Sequence, residues 1–226
     1  MISTLEKEIT FRFLKARKND GFLNVISIFS FIGISLGVAV LIIVMSVMNG
    51  FRTELINKIV GFNSHITVQP YEKAININNI NKGSLELISK NLILSNSSEA
   101  IIIKEKSSKG ILLRGYLEDD FSKLELINNK NFVGETKNLE KNFISIGKEL
   151  SFTLDLKIGD NISIMSSSGV ETIIGNLPKQ KTFTVISIFD SGLADFDNNI
   201  IFLNLKTLEE FSNLSKNDRN LEVYLK

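Results

Sequence analysis

The 226-residue sequence contains no cysteine and no tryptophan, only one histidine and only two prolines. Without cysteine the chain has no disulfides, no thiolate metal ligands and no cysteine nucleophile. Any Ser-His-Asp triad would have to use His65, which stands at the start of a strand pattern and is interpreted as structural. The formal net charge is +1, so no overall excess of positive charge favours a nucleic acid as partner.

Sequence motifs for nucleotide and metal chemistry are also missing. There is no G-x-x-x-x-G-K-[ST] phosphate loop and no H-E-x-x-H zinc motif. The cluster Asp190, Asp195 and Asp197 resembles a calcium loop, but the EF-hand spacing then requires Gly and Glu where the chain has Ile200 and Lys206. We therefore predict a non-catalytic chain with no metal site and no cofactor.

Charge is absent from a long apolar run between Asp20 and Arg52. A bilayer core of about 30 Å requires about 20 apolar residues, and this run is longer. The alternative is a cleaved signal peptide, whose apolar region spans about 7–15 residues and precedes a small-residue cleavage site. The run instead ends in Met48-Asn49-Gly50-Phe51. We predict an uncleaved transmembrane helix over residues 21–50.

Basic residues are distributed unequally around this run. Five precede it, namely Lys7, Arg12, Lys15, Arg17 and Lys18, whereas only Arg52 and Lys58 follow it at a similar distance. The positive-inside rule therefore predicts that residues 1–20 are cytoplasmic and residues 51–226 lie on the outer side. The stretch FRFLKARKND is either an amphipathic helix on the inner leaflet or a basic topogenic flank.

Two glycines within the run, Gly33 and Gly37, are four residues apart, with Ser30 and Ser35 nearby. Small residues at this spacing allow a second helix to approach closely. Glycine and serine are also common in membrane helices that lack this role. The sequence leaves both interpretations open.

Residues 51–226 alternate between strand and helix patterns, which predicts an α+β domain. The predicted elements of the first half are a helical continuation over Arg52–Val60, a strand over Ile66–Tyr71, a helix from Ser84 to Asn91 with Leu85, Ile88 and Leu92 on its apolar face, strands EAIIIKEK and GILLRGYL joined by the turn SSKG, and a helix capped by Asp119 or Asp120 that reaches Leu126.

The second half shows clearer strand patterns. The predicted elements are a strand FISIG, a helix over Gly147–Leu154, strands NISIMSS, KTFTVISIFD and NNIIFLNL, a helix KTLEEFSN, and the beginning of a strand in LEVYLK. A chain that stops inside a strand pattern indicates a longer protein.

Several extended segments together resemble one family. They are FRFLKARKNDGFLNVISIFSFIGISLGVAVLIIVMSVMNGFRTEL, ELINKIVGFNSHITV, GILLRGYLEDD, SIGKELSFTLDLKIGDNISIMSS and GNLPKQKTFTVISIFDSGLADFDNNIIFLNLKTLEEF. This order of segments resembles the LolC/LolE-type permeases of the ABC transporter that releases lipoproteins from the inner membrane of Gram-negative bacteria. The resemblance covers nearly the whole chain and is weakest over Tyr71–Ser98.

The resemblance implies an architecture and a set of partners. Its members have four membrane helices and a large periplasmic domain between the first two, similar to the two-lobed, mixed α/β MacB periplasmic core. Implied partners are a second permease subunit, identical or related, a dimer of a separate cytoplasmic ATPase, a periplasmic LolA-like chaperone, the lipoprotein substrate and membrane lipids. ATP hydrolysis would belong to the separate subunit.

The resemblance also implies a chaperone-binding loop. In the LolC type, a protruding hairpin with a proline lies before an F-x-V-x-x-x-F strand, and the matching stretch here is Glu171–Lys181. We expect its Gly175 and Pro178 to break regular strand pairing. The implied contact residues are Ile174, Gly175, Asn176, Leu177, Pro178, Lys179 and Gln180. Ile174 and Leu177 are expected to be apolar anchors, and Lys179 and Lys181 to face acidic chaperone residues. The alternative interpretation is a plain connecting loop.

A second implied site lies at the outer end of the membrane helix, where the family admits lipoprotein acyl chains between subunits. The matching residues are Val40, Ile43, Val44, Val47 and Met48, and methionine adapts to varied lipid shapes. The alternative for each residue is an ordinary lipid-facing position.

Three functional hypotheses stay open at this stage. The first is a lipoprotein-releasing permease subunit. The second is another permease of the MacB/FtsX group, which transmits ATPase motion to a periplasmic partner without contacting a chaperone through residues 171–181. The third is a membrane-anchored enzyme or binding module, and the missing catalytic motifs count against it.

Overall fold

The computed structural model describes residues 3–14, 21–71, 74–75, 85, 87–104, 107–124, 126–127, 132–135, 139, 142–172 and 175–226. They form two compact units, Met1–Leu55 and Ile56–Lys226. The helices are α1 (Thr4–Leu14), α2 (Gly21–Phe62), α3 (Glu118–Phe121), α4 (Lys148–Thr153), α5 (Ala194–Asn199) and α6 (Leu205–Ser212), with a 3₁₀ turn at Lys216–Asp218. The strands are β1 (Ile66–Val68), β2 (Ser89–Lys104), β3 (Ser107–Tyr116), β4 (Val133–Gly134), β5 (Phe143–Gly147), β6 (Asn161–Thr172), β7 (Gly175–Phe189), β8 (Ile200–Asn204) and β9 (Asn220–Leu225).

Helix α2 is the dominant element of the first unit. Its segment Val25–Ile59 is, by length and composition, long and apolar enough to cross a membrane. At about 1.5 Å per residue, the whole of α2 is about 63 Å long, roughly twice the hydrocarbon thickness of a bilayer. Its final residues belong to the second unit, which begins at Ile56. The expected helical continuation over Arg52–Val60 is thus confirmed.

The nine strands that the structure describes belong to one mixed sheet, in the order β1-β9-β2-β3-β8-β5-β7-β4. Strand β6 pairs with both β2 and β7, and this closes β2, β3, β8, β5, β7 and β6 into a ring of six strands. The β3–β8 and β5–β7 pairs are parallel, and the other pairs in the ring are antiparallel. An apolar helix followed by this mixed domain confirms the predicted α+β class.

Aromatic side chains fill much of the core. Phe202 on β8 is 1% exposed and lies 4.9 Å from Phe189, 5.6 Å from Phe121 and 5.8 Å from Tyr116 between ring centroids. Phe62, at the end of α2, stacks on Phe196 at 4.6 Å. The last turn of α2 is therefore part of the core of the second unit.

Several sequence-based assignments differ from the structure in whole or in part. The predicted helix from Ser84 to Asn91 is helical at Leu85, Leu87 and Ile88 but becomes strand from Ser89 onward, because this segment pairs with β9, for example Leu92 with Val223. The stretch SSKG is not the turn of the first hairpin, since all four of its residues belong to β3 and Ser107 already pairs with Lys104. Helix α3 ends at Phe121 and is preceded by Leu117, which provides no side-chain cap.

Candidate functional site

The stretch expected to form a chaperone loop is the end of a long antiparallel hairpin. Strands β6 and β7 pair from Asn161 with Thr184 to Thr172 with Gly175. Between these ends the register shifts, because Met165 pairs with Gln180 whereas Gly169 pairs with Pro178. Residues 166–168 thus lie opposite a single residue of β7. We call the paired residues beyond this bulge, Gly169–Thr172 and Gly175–Pro178, the arm.

The expectation that Gly175 and Pro178 break regular pairing is wrong, since both residues are paired. Gly175 adopts φ +119°, a conformation that glycine accepts at little cost where the chain reverses. The proline lacks only an amide hydrogen, which an edge position of a hairpin does not need. The arm is therefore regular β-structure up to its tip, and the tip residues 173–174 lie outside the described residues.

The arm presents apolar side chains outward while its neighbouring lysines fold back. Leu177 is 53% exposed, and Pro178 is exposed as well. Lys179 is half-buried, and its ammonium donates to the Glu210 carbonyl at 3.0 Å and to the Asn213 side-chain oxygen. The Lys181 ammonium lies 5.4 Å from the centre of the Phe183 ring. The exposed Gln180 donates to Ser163 Oγ at 2.7 Å. The expected anchor Ile174 lies outside the described residues, and the side chain of Asn176 is not described.

A second feature is a buried polar network at the junction between α2 and the sheet. Glu222 on β9 is 4% exposed. Its carboxylate accepts hydrogen bonds from Arg114 Nη2 at 3.0 Å, from the Tyr116 and Tyr224 hydroxyls at 3.1 and 2.8 Å, and from Ser95 Oγ at 2.5 Å. One buried carboxylate thus connects strands β2, β3 and β9.

Arg114 extends this network to the end of α2. Its Nη1 donates to Asn63 Oδ1 at 2.9 Å, and its guanidinium lies 5.5 Å from the centre of the Phe62 ring. Planar guanidinium groups bind carboxylates and stack on aromatic faces at the same time. Arg114 therefore joins the last turn of the long helix to the Glu222 carboxylate.

Burial changes the acid–base chemistry of the two tyrosines in the network. It raises the pKa of Tyr116 well above its ordinary value, and the Glu222 charge adds to this while Arg114 opposes it. Burial raises the pKa of Tyr224 in the same way, again with a contribution from Glu222. Both hydroxyls therefore stay protonated and keep donating to Glu222 over the physiological pH range.

The predicted residues of the membrane helix are all exposed within the first unit. Val40, Ile43, Val44, Val47 and Met48 are between 51% and 65% exposed. A Cβ added at Gly33 or Gly37 would meet no atom within 4 Å. These positions are therefore free to contact lipid or another helix. They lie in a different compact unit from the arm.

The acidic stretch after β7 organises its own loop. Asp190 binds Lys148 at 2.9 Å, and the hydrogen bond from this lysine lowers the pKa of Asp190. Asp197 is 2% exposed and accepts from the Ser191 amide at 2.9 Å, and burial raises its pKa. Within the described part of the chain, no three acidic or histidine side chains gather in a way that could hold a metal ion.

The sequence did not point to Arg114, Glu222 or Asn213. Glu222 stands between Leu221 and Val223 in a strand pattern, and such alternation predicts a solvent-facing side chain and not the buried carboxylate found here. Asn213 is the last residue of the predicted helix KTLEEFSN, and asparagine at a helix end often adopts the left-handed cap conformation. Its partners could not be read from the sequence, because Lys179 and Gly169 are 34 and 44 residues away.

One N-terminal helix of membrane-spanning length, followed by a domain with a single mixed sheet, places the chain in the α+β class. The chain belongs to the MacB-like periplasmic core domain family, whose family model matches residues 27–226.

Curated relatives confirm the resemblance to the LolC/LolE-type permeases. The chain is 28% identical over 93% of its length to the lipoprotein-releasing system transmembrane protein LolC of Xylella fastidiosa strain Temecula1, covering 52% of that protein. It is 26% identical over 98% of its length to LolC of Neisseria meningitidis serogroup B, covering 54%. It is 28% identical over 70% of its length to LolE of Haemophilus influenzae, covering 40% of that protein. The chain thus spans about half the length of the LolC relatives it matches.

Solved structures show weaker likeness. The extracellular domain of the noncanonic ABC-type transporter YknZ from Gram-positive bacteria gives a TM-score of 0.41 at 11% identity, over 71% of this chain and 84% of that one. The periplasmic region of MacB from Actinobacillus actinomycetemcomitans gives a TM-score of 0.43 at 9% identity, over 74% of this chain and 78% of that one. The family assignment rests on the sequence match.

Proposed function

We propose that the chain is part of a permease subunit of an ABC transporter that extracts lipoproteins from the inner membrane and passes them to a periplasmic chaperone. The names of the LolC and LolE relatives support the transporter class and the lipoprotein substrate. In this proposal the subunit is not catalytic, and a separate ATPase dimer hydrolyses ATP. A second permease subunit, the lipoprotein and membrane lipids complete the set of partners.

The arm is the observation that carries the chaperone proposal. It projects beyond the ring as regular β-structure and presents Leu177 and Pro178 to solvent. Exposed apolar side chains on a rigid support are typical anchors of protein interfaces. We leave Lys179 out of the proposed contact set, because its ammonium is hydrogen-bonded to the Glu210 carbonyl of α6. We therefore assign recognition to Leu177, Pro178 and the tip.

Shortening the arm is expected to weaken chaperone binding at least about tenfold, which corresponds to about 1.4 kcal/mol. The variant joins Gly169 to Pro178, which pair with each other, through a two-residue Asn-Gly turn. Binding of the full chain in detergent micelles to the LolA-like chaperone of the same organism is measured by calorimetry. Pro178→Ala and Leu177→Asp are expected to weaken binding in the same direction.

Phe152→Asp is the matched control, because Phe152 is 69% exposed on α4, outside the arm. It should leave the affinity unchanged. Equal binding by the shortened and intact arms would refute the assignment. A folded wild-type chain that binds no chaperone would favour the second candidate, a MacB/FtsX-like permease that transmits ATPase motion to another periplasmic partner.

We further propose that residues 1–20 are cytoplasmic, that residues 21–50 lie in the membrane and that residues 51–226 are periplasmic. Gly33 and Gly37 would pack against another helix, and Val40, Ile43, Val44, Val47 and Met48 would contact lipid or lipoprotein acyl chains. The exposure of these helix positions is compatible with both roles.

Single cysteines can test this arrangement, because the chain has none of its own. In cells with a permeabilised outer membrane, a membrane-impermeant maleimide is expected to label Lys206→Cys and to leave Ser3→Cys and Val44→Cys unlabelled. Labelling of Ser3→Cys but not Lys206→Cys would invert the proposed topology. A photoreactive group attached at Val44 should crosslink to lipoproteins, and the absence of such adducts would remove this residue from the lipid path.

A further inference from the structure

The root of the arm, which comprises residues 166–169 of β6 and Lys179 of β7, contacts Asn213 at the end of α6. Asn213, the C-cap of α6, donates from Nδ2 to the Gly169 carbonyl at 3.1 Å and accepts a hydrogen bond from the Lys179 ammonium. Gly169 belongs to β6 and Lys179 to β7, so one side chain holds both strands of the hairpin. The same ammonium also donates to the Glu210 carbonyl near the end of α6, at 3.0 Å.

These contacts lie at the register shift of the hairpin. Gly169 is the first paired residue beyond the bulge, and Lys179 is the single residue opposite residues 166–168. A bulge bends a hairpin and increases its local twist. An isolated two-stranded ribbon is itself only marginally stable. Contacts at the bulge therefore decide the direction in which the arm leaves the ring.

Helix α6 is a firm support for these contacts. Leu208 is fully buried, and a Cβ added at Gly115 of β3 would come within 2.9 Å of Leu208 Cδ2. Phe211 packs edge-on against Phe183 of β7 at 5.7 Å between ring centroids. At the other end, the Asn204 side chain caps the helix by accepting from the Lys206 amide at 3.0 Å. The helix cannot shift without disturbing the core.

A second contact holds the other side of the root. Ser167, within the bulge, donates from its hydroxyl to the Glu99 carbonyl of β2 at 2.9 Å. The root is thus fixed to β2 through Ser167 and to α6 through Asn213 and Lys179. The Lys179 ammonium is the only charged group in this set, and it lies within the domain's own contacts and not on the outer surface of the arm.

We propose that Asn213 is a positioning residue, which holds the arm in the orientation that its protein partner recognises. This role rests on the proposed function, in which the partner is a periplasmic chaperone. A binding element that is already ordered loses less conformational entropy when it binds. Asn213 contributes no contact surface in this proposal. It lowers the conformational entropy that the arm loses when Leu177 and Pro178 bind the partner.

The backbone of Asn213 determines which variants are informative. Its φ of +55° lies in the left-handed region, so alanine would add backbone strain to the loss of the side chain. Asn213→Gly keeps this conformation and removes both hydrogen bonds. Asn213→Asp keeps an acceptor for Lys179 and loses the donor to the Gly169 carbonyl. Asn217→Gly is the matched control, because Asn217 is an exposed asparagine in the adjacent 3₁₀ turn, away from the arm's described hydrogen bonds.

The experiment measures the orientation of the arm directly. Spin labels are placed on Leu177→Cys and Lys206→Cys of the full chain in detergent micelles, and their distance distribution is recorded by pulsed electron resonance. We expect a narrow distribution for the parent chain and for Asn217→Gly. For Asn213→Gly we expect a distribution about twice as wide, with Asn213→Asp in between. The midpoint of thermal unfolding should change little.

An unchanged distribution for Asn213→Gly would overturn the proposal. A wider distribution accompanied by a large fall in the unfolding midpoint would also overturn it, since Asn213 would then serve the fold as a whole. This readout needs no chaperone, so it tests the positioning role of Asn213 independently of the proposed function. If the chaperone binds the parent chain, Asn213→Gly should weaken binding about tenfold without altering the contact residues. If the distance distribution widens in Asn213→Gly but no chaperone binds the parent chain, the proposed partner is wrong. Asn213 then positions the arm for a different protein partner.

Discussion

Replacing Glu222 with glutamine is expected to lower the free energy of unfolding of the domain by about 3–5 kcal/mol. The substitution preserves the shape of the side chain and one acceptor oxygen, but it removes the charge that compensates Arg114. The two side chains are only 11% and 5% exposed, so water cannot replace the lost partner. Urea unfolding of the full chain in detergent, followed by near-ultraviolet circular dichroism, measures the change.

The control is the double variant Arg114→Met with Glu222→Gln. It removes both charges and leaves an amide oxygen for the Tyr116 and Tyr224 hydroxyls, so it should be more stable than the single variant by about 2 kcal/mol. Glu210→Gln, at an exposed position of α6, should change stability by less than about 0.5 kcal/mol. A loss below about 1 kcal/mol for Glu222→Gln would mean that the Arg114–Glu222 pair is not isolated from water as the structure describes.

Alkaline pH is expected to destabilise the domain steeply. Tyr116 and Tyr224 have pKa values raised above 10.0 in the folded protein, chiefly by burial. In the unfolded chain they lose their protons near pH 10, whereas the folded chain keeps them. The stability that these hydroxyls provide is therefore complete below about pH 10 and falls as pH rises above it. Each tyrosine contributes a slope of about 1.4 kcal/mol per pH unit, or about 2.8 kcal/mol per pH unit for both.

Replacing each buried tyrosine separately by phenylalanine distinguishes the loss of stability caused by tyrosine ionisation from that caused by the titration of lysines. Tyr116→Phe and Tyr224→Phe should each remove about half of the alkaline slope, although each also loses a hydrogen bond to a charged group. Tyr71→Phe is the control, because Tyr71 is 87% exposed and lies outside the network. Stability is compared at several pH values between 8 and about 12. Equal slopes for all four proteins would show that neither hydroxyl is protected from ionisation.

Local pattern predicted much of the second half of the domain. The FISIG strand, the helix after Gly147 and the helix before Asn213 agree with the structure, since alternation and short helical periodicity there coincide with burial. The predicted helix with Leu85, Ile88 and Leu92 on one face failed only in its last part, since Leu85 and Ile88 are helical but Leu92 lies in β2. Pairing of Leu92 with Val223, far away in the sequence, outweighs that local preference.

The candidate site was predictable to a lesser degree. The arm was expected as a protruding hairpin through the resemblance to the LolC type, and its exposed Leu177 was named. The register shift between Met165 and Gly169 was not expected, because the alternation of a strand does not tell which residues of its partner strand it pairs with. The Arg114–Glu222 pair joins residues 108 positions apart, and no local signal predicts such a contact.

The closed ring of strands has a consequence for how this protein can change over time. Strands β6 and β7 complete the ring before the bulge, so every ring pairing is made without the arm. Insertions, deletions or new side chains between Gly169 and Pro178 leave the packed core intact. The arm is therefore an exchangeable module, and a relative could acquire a different partner by altering about ten residues while it inherits the rest of the fold unchanged.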